Sequence, residues 1–202
     1  MKPNKTNQPE YCEQLLRTNK LWKQILNVQY PYKRALKKME LGNTIDIGCG
    51  IGRVLAWLNK NSIGVDHNPT SIDICVSRNL KAYTKESFQE AIKSNMIEKN
   101  SFDNLLLAHV LEHLEPNEQI EIIQSYIPFL KKNGGIFIIT PQEVGYASDD
   151  THVTFTDFAR TREVLNKLNF EVISQKSFPF PRAIGKLFRY NEFHTYASLK
   201  SL

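Results

Sequence analysis

Short apolar segments rich in β-branched residues alternate with amphipathic segments through the middle of the chain. The segments typical of strands are 44–47, 62–65, 81–84, 104–108 and 136–140. Helical spacing lies between them, at 53–60, 69–79, 86–97 and from Pro116 onward. This alternation predicts an α/β fold with a parallel sheet, helices on both faces and right-handed crossovers. Ligands of such folds bind beyond the carboxyl ends of the strands.

The two ends of the chain follow the pattern less regularly. Residues 11–39 have roughly helical spacing with a break at Pro31, so 1–40 is predicted to be an N-terminal helical extension. Residues 41–202 are predicted to complete a single domain. Further expectations are a turn at Gly134-Gly135, a helix at 157–168 capped by Thr156, strands at 170–177 and 191–199, and an amphipathic helix within 178–190.

Composition narrows the class of protein. A chain of 202 residues with 41% hydrophobic residues has the length of one globular domain. It has no apolar run of membrane-spanning length and no apolar leader near its start, and its three cysteines form no CxxC pair. We therefore expect a cytoplasmic protein without disulfides. A net charge of +5 is mild, so a nucleic-acid partner is not expected, and the oligomeric state stays open.

A glycine loop follows the first predicted strand. Gly48, Gly50 and Gly52 stand between this strand and the next helical segment, where backbone can approach a ligand closely. Their spacing is G-x-G-x-G, whereas the dinucleotide fingerprint is G-x-G-x-x-G. Asp46 at the strand end would repel a pyrophosphate but suits an ammonium group. A nicotinamide oxidoreductase is therefore disfavoured.

A second acidic residue ends the next strand. Asp66 lies 20 positions after Asp46, where a carboxylate can accept both hydroxyls of a ribose. Together the two acids suggest a ligand with an amine and a ribose but no phosphate. S-adenosylmethionine fits that description.

Four segments carry a resemblance to a known family. IDIGCGIG, IGVD, FDNLLLAHVLEHL and GGIFIITP occur in this order, and the chain resembles the class I S-adenosylmethionine-dependent methyltransferases over residues 41–175. It is most similar to the small-molecule type related to ubiquinone-biosynthesis O-methyltransferases. The resemblance implies S-adenosylmethionine as cofactor. It also implies a Rossmann-like, doubly wound, mostly parallel seven-stranded sheet, whose antiparallel last strand residues 191–199 can supply.

The resemblance also implies a set of site residues. Asp46 and the glycine loop would hold the methionine moiety, Asp66 the ribose, and the backbone near His109 would close over the methionine end. The implied cofactor-binding residues are Asp46, Gly48, Cys49, Gly50, Gly52, Asp66, His67, Ser87, Phe88 and His109.

Histidine is the side chain best suited to act as a base near neutral pH. His113 and His152 are the candidate catalytic residues, and packing alone is the competing interpretation of each. No metal is predicted. A metal-binding alternative stays open because related enzymes use Glu-x-x-Glu-His with a later histidine, while this chain has His109 in place of the first carboxylate.

The predicted activity is methyl transfer to a small-molecule acceptor, with O-methylation favoured. The alternatives are an RNA or protein methyltransferase and a catalytically silent S-adenosylmethionine-binding protein.

Overall fold

The computed structural model describes residues 30–200. The chain divides into two compact units, Met1–Met96 and Ile97–Leu202. The predicted domain boundary at residue 40 stays a prediction. The first helix predicted for the N-terminal extension lies outside the described residues, and the second is present as α1, Tyr30–Lys38.

Three parallel strands and three helices make up the described part of the first unit. After α1 come β1 (Thr44–Ile47), β2 (Ile63–Val65), α2 (Pro69–Ser77), β3 (Ala82–Tyr83) and α3 (Lys85–Lys93). The strand order is β3-β2-β1, with Ile45 opposite Ile63 and Gly64 opposite Ala82.

Side-chain caps start both helices soon after a strand ends. The Asn68 side chain accepts a hydrogen bond from the Thr70 amide (3.0 Å) just before α2, which has Pro69 in its first turn. The Thr84 hydroxyl accepts from the Ser87 amide (3.2 Å) at the start of α3. Capping fixes each helix start next to the end of a strand.

The predicted helix at 53–60 is wrong in type, since the structure has only a 3-10 turn there, Leu55–Trp57. The preceding Gly52 has a φ of +73°, so no regular helix runs from the glycine loop into this segment. Leu55 is anchored instead by packing against Cys49, Ile72, Cys75 and Ala82. A segment this short has little helical stability of its own.

Four strands form the sheet of the second unit. The elements in chain order are β4 (Phe102–Ala108), α4 (Pro116–Tyr126), β5 (Leu130–Pro141), α5 (Glu143–Tyr146), α6 (Phe158–Lys167), β6 (Phe170–Phe178) and β7 (Glu192–Leu199). The order is β4-β5-β7-β6. β4 and β5 are parallel, and β7 is antiparallel to both of its neighbours. Leu105, Leu106 and Leu107 of β4 are fully buried, as an unbroken apolar run in a strand favours.

The fold-class prediction is confirmed. The described residues contain seven strands in a mostly parallel sheet with helices, and 191–199 supplies the predicted antiparallel strand as β7. None of the described helices combines the length and the hydropathy that a membrane crossing needs.

Three further local predictions differ from the structure. Gly134-Gly135 is not a turn, because β5 continues through it with a bulge that takes up the extra residues between Leu130 and Gly135. Asp157, not Thr156, caps α6 by accepting from the Arg160 amide (2.9 Å). The buried Thr156 hydroxyl bonds instead to the Gln119 side chain and the Thr154 carbonyl.

The third difference concerns the stretch before β7. The region 178–190 contains a single 3-10 turn, Arg182–Lys186, instead of an amphipathic helix. Side-chain bonds from Asn191 to the carbonyls of Phe180 and Pro181 hold this stretch in an irregular conformation.

Candidate functional site

The glycine loop follows β1 in the first unit and has a left-handed backbone. The φ angles are +72° at Gly48, +51° at Gly50 and +73° at Gly52. Gly48 donates its amide to the carbonyl of Val65 at the end of β2 (2.7 Å). The loop is therefore fastened to the strand end that precedes Asp66.

The glycines have different surroundings. A Cβ placed on Gly50 would meet nothing within 4 Å, so this stretch of backbone borders open space. A Cβ on Gly52 would lie 2.5 Å from the Leu80 side chain and 2.8 Å from the Cys75 sulfur. Gly50 thus has the environment of a ligand-binding glycine, and Gly52 that of a packing glycine.

Asp46 is a buried acid whose hydrogen bonds within the described residues are incomplete. Its side chain is 1% exposed, and its Oδ2 has no hydrogen-bond partner in the part of the chain that the structure describes. Burial, followed by the proximity of Cys75 and Asp66, raises the pKa of Asp46 well above its ordinary value. An ammonium group nearby would compensate such a carboxylate. The buried carboxyl of Asp46 therefore fits the amine of S-adenosylmethionine.

Asp66 ties the loop to the start of α2. Its Oδ2 accepts from the Gly50 amide (2.8 Å) and its Oδ1 from the Asn68 amide (2.9 Å). An ionised carboxylate can accept about four hydrogen bonds, so each oxygen keeps capacity for a hydroxyl. The half-exposed His67 has its Nδ1 3.5 Å from Asp66 Oδ1.

The remaining first-unit residues implied by the resemblance are hydrogen-bonded or packed inside this unit. They are Cys49, Ser87 and Phe88. The Cys49 thiol is buried beside Cys75, and both thiols lie near the Gly50 carbonyl. The hydrogen bond between the thiols of Cys49 and Cys75, together with burial, raises the pKa of Cys49. Ser87 is bonded to the capping Thr84, and Phe88 is 2% exposed, edge-on to Tyr83.

His109 lies in the second unit, at the end of β4. It has a φ of +59°, and its amide is held by the Ile139 carbonyl (2.9 Å). The ring lies between two carboxylates, with Nε2 3.0 Å from Glu192 Oε1 and Nδ1 3.3 Å from Glu112 Oε1. Burial alone would lower the pKa of His109, but the two glutamates raise it to about 10. His109 is therefore an imidazolium at neutral pH.

Glu112 is fully buried in the 3-10 turn Leu111–His113 that follows β4. Neither of its oxygens has a well-formed hydrogen bond within residues 30–200. Besides His109, the Nε2 atom of His152 lies 4.0 Å from Glu112 Oε1. The buried carboxylate is thus surrounded by imidazoles.

The two candidate catalytic histidines meet at this carboxylate. The rings of His113 and His152 contact each other with centroids 4.7 Å apart. His113 Nδ1 lies 3.1 Å from the Thr151 hydroxyl, and His152 Nδ1 lies 2.7 Å from the Tyr146 carbonyl. Burial, helped by the nearby His152, lowers the pKa of His113 below its ordinary value. His113 is therefore neutral near pH 7.

Sequence reasoning did not find Glu192 and Thr151 as partners of these histidines. Glu192 contacts His109 across 83 positions, and Thr151 contacts His113 across 38. Glu192 also accepts from His194 Nε2 through its second oxygen (2.9 Å). No motif links such distant residues. The one available signal was that the loop with Thr151 follows the carboxyl end of a predicted strand, where ligands of such folds bind.

Glu112, His113 and His152 also offer three donor atoms within 4.8 Å of one another, a spacing that can hold a metal ion. The chain, however, already supplies a positive charge at Glu112, because the His109 imidazolium lies 3.3 Å from Oε1. A divalent cation on the same carboxylate would be repelled by that charge. The absence of a metal stays a prediction.

The comparisons with known proteins address the class of protein. A family model described as a methyltransferase domain matches residues 20–175, and the chain belongs to this family. Its methyltransferase domain assigns it to the class of S-adenosylmethionine-dependent methyltransferases. The resemblance seen in the sequence and the predicted cofactor are confirmed.

One curated relative matches part of the chain. The ubiquinone biosynthesis O-methyltransferase of Pelagibacter ubique (strain HTCC1062) is 29% identical over 110 residues, which is 53% of this chain. The match spans 44% of that relative, so the chain aligns with less than half of its length.

Solved structures share the fold. A SAM-dependent methyltransferase from Archaeoglobus fulgidus has a TM-score of 0.64 at 19% identity, covering 83% of this chain and 92% of that one. A TehB-like SAM-dependent methyltransferase from Corynebacterium glutamicum has a TM-score of 0.63 at 18% identity, covering 96% and 100%. Magnesium protoporphyrin IX methyltransferase from Synechocystis, solved with bound SAH, has a TM-score of 0.57 at 13% identity, covering 82% and 78%.

The different surroundings of two glycines predict opposite phenotypes. Gly50→Ala should weaken S-adenosylmethionine binding at least about tenfold while costing only about 1 kcal/mol of stability, from backbone strain. Gly52→Ala carries similar strain plus a steric clash and should lose about 2–4 kcal/mol of stability. Urea unfolding and calorimetric titration measure the two quantities. Equal stability losses in both variants would contradict the assignment.

The raised pKa of His109 predicts a stability that depends on pH. Because the folded-state pKa of about 10 exceeds the ordinary 6.5, the stabilisation is complete below pH 6.5 and is lost as pH rises through 10. Half of the ring is exposed, so screening reduces the loss to on the order of 1 kcal/mol. His109→Asn, which tolerates the left-handed backbone, should flatten this decline in urea unfolding. An unchanged decline in the variant would refute the ion pairing.

The charge at Glu112 predicts an enzyme that does not need a metal. Purified protein should contain no stoichiometric divalent metal by elemental analysis, and EDTA should leave S-adenosylhomocysteine production unchanged. Loss of activity in EDTA, restored by one divalent ion and abolished in Glu112→Gln, would establish the metal site instead.

Proposed function

We propose that this enzyme transfers the methyl group of S-adenosylmethionine to an oxygen atom of a small-molecule acceptor, with His113 as the general base. The observation that carries the proposal is His113 itself, whose lowered pKa keeps the ring neutral and able to accept a proton at neutral pH. The similarity to a ubiquinone biosynthesis O-methyltransferase supports oxygen as the methylated atom.

Cofactor binding is assigned to the first unit. Asp46 would hold the amine of the methionine moiety, Asp66 the ribose hydroxyls, and the backbone at Gly50 would approach the ligand. The orphaned Oδ2 of Asp46 and the open space beside Gly50 support these roles. The other residues assigned by resemblance are Gly48, Cys49, Gly52, His67, Ser87 and Phe88 in this unit and His109 in the second unit.

Bound S-adenosylmethionine supplies an electrophilic methyl group. His113 would take the hydroxyl proton of the acceptor as the acceptor oxygen bonds the methyl carbon. The electron pair of the carbon–sulfur bond would stay on sulfur, so the products would be the methyl ether and S-adenosylhomocysteine. A base of this kind contributes typically about 10²–10⁴-fold to the rate.

Aromatic side chains near His152 support an aromatic or apolar acceptor. Tyr146 stacks on the His152 ring with centroids 5.2 Å apart, and Phe155 packs edge-on against Tyr146. Phe155 is 37% exposed. Part of this aromatic surface is therefore open to a ligand.

We also propose that the enzyme works in the reducing cytoplasm. Both described cysteines, Cys49 and Cys75, are buried free thiols. Thiols persist in that compartment.

Production of S-adenosylhomocysteine with a panel of phenols, catechols, amines, tRNA and peptides tests the proposal. We expect turnover with a phenol or catechol. His113→Asn should lower kcat by about 10²-fold or more while leaving S-adenosylmethionine affinity unchanged. The wild-type rate should fall only below about pH 6.5, since the pKa of His113 is lowered from that value.

Asp66→Ala is the matched variant for the cofactor. It should lose about 1.5–3 kcal/mol of S-adenosylmethionine binding, as expected for hydrogen bonds to a charged group. Turnover with tRNA or peptide alone would replace the small-molecule proposal. Full activity of His113→Asn would remove the base from the mechanism.

A further inference from the structure

We propose that Asp149 and Thr151 are positioning residues that fix the His113 ring with its proton on Nδ1, leaving Nε2 as the nitrogen that receives the proton of the acceptor. This inference rests on the proposed function for the use of Nε2. The ring orientation itself follows from hydrogen bonds in the loop after β5.

The direction of each hydrogen bond follows from chemistry. Asp149 Oδ1 lies 2.6 Å from the Thr151 hydroxyl and 2.9 Å from the Thr151 amide. Burial would raise the pKa of Asp149, but these bonds and the nearby histidines lower it, so the carboxylate is ionised and can only accept. The single hydroxyl proton of Thr151 therefore points to Asp149.

That direction determines the tautomer of His113. The Thr151 hydroxyl has only lone pairs left for His113 Nδ1, which lies 3.1 Å away. The Thr151 carbonyl, 3.3 Å from the same nitrogen, is also an acceptor. Nδ1 must then carry the proton, and in a neutral imidazole Nε2 is left unprotonated.

The loop is fastened to the turn that carries His113. The amides of Val153 and Thr154 both donate to the carbonyl of Glu112, at 2.8 and 3.1 Å. The relay from Asp149 through Thr151 is thus held in register with the 3-10 turn Leu111–His113. Charged or titratable groups around the ring are Glu112, Asp149 and His152.

The chain offers two matched pairs of variants. In Asp149→Ala the Thr151 hydroxyl is free to rotate and donate to Nδ1, which moves the proton to Nε2; in Asp149→Asn the side-chain oxygen still accepts, so the tautomer stays. Thr151→Val removes the hydroxyl at constant shape, and Thr151→Ser restores it.

Long-range proton–nitrogen NMR spectra of the ¹⁵N-labelled full chain with EDTA, at a pH above the pKa of His113, report the tautomer directly. The spectra of His113→Asn assign the signals. We expect Nδ1–H in the wild type, Asp149→Asn and Thr151→Ser. Asp149→Ala should move to Nε2–H, and Thr151→Val should show detectable Nε2–H. Nε2–H in the wild type, or no change in Asp149→Ala and Thr151→Val, would overturn the proposal.

Kinetics separate positioning from the base role. With the acceptor found in the panel, Asp149→Ala and Thr151→Val should lower kcat about 10–100-fold, as loss of an orienting partner does, at unchanged S-adenosylmethionine affinity. Thr151→Ser should recover most of the rate. If the tautomers change as expected while turnover does not depend on His113, the O-methylation mechanism fails and the orientation of the ring stands.

Discussion

The described cofactor region depends on the two hydrogen bonds that the buried carboxylate of Asp66 accepts. One oxygen accepts a hydrogen bond from the backbone amide of Gly50 in the glycine loop. The other accepts from the backbone amide of Asn68 at the start of α2. Charge-assisted bonds of this kind are about twice as strong as neutral ones. They keep the left-handed glycine loop and a helix start in one arrangement before any ligand arrives, so binding need not order them.

A second buried carboxylate, Glu112, organises the second unit. Removing a carboxylate from water is costly unless a positive charge lies close by. His109 meets that need for both Glu112 and Glu192, and its unusual left-handed backbone conformation is what aims the ring between them. The strain at His109 is therefore offset by two ion pairs. His113 is left neutral because burial, helped by the nearby His152, lowers its pKa.

The strands and the glycine loop could be predicted from sequence because local patterns determine them. The apolar run 104–108 and the spacing of Gly48, Gly50 and Gly52 depend on neighbouring positions only. Thr156 shows the limit of local patterns. Its residue type and position suit a helix cap, but its hydroxyl accepts a hydrogen bond from the Gln119 side chain, and Asp157 caps the helix instead. The helix expected at 53–60 fails for a similar reason, since packing of Leu55 outweighs a weak helical tendency.

The partners of the candidate histidines show why a site is harder to predict than a fold. The residue types of His113 and His152 suggested a base, but their protonation depends on Thr151, Asp149 and the Tyr146 carbonyl. These contacts exist only once the loop after β5 is bonded to the carbonyl of Glu112. A histidine can give or receive a proton at either nitrogen. The loop removes that ambiguity at His113, because both groups facing Nδ1 can only accept. The chemistry available at this ring is thus determined by residues that no motif identifies.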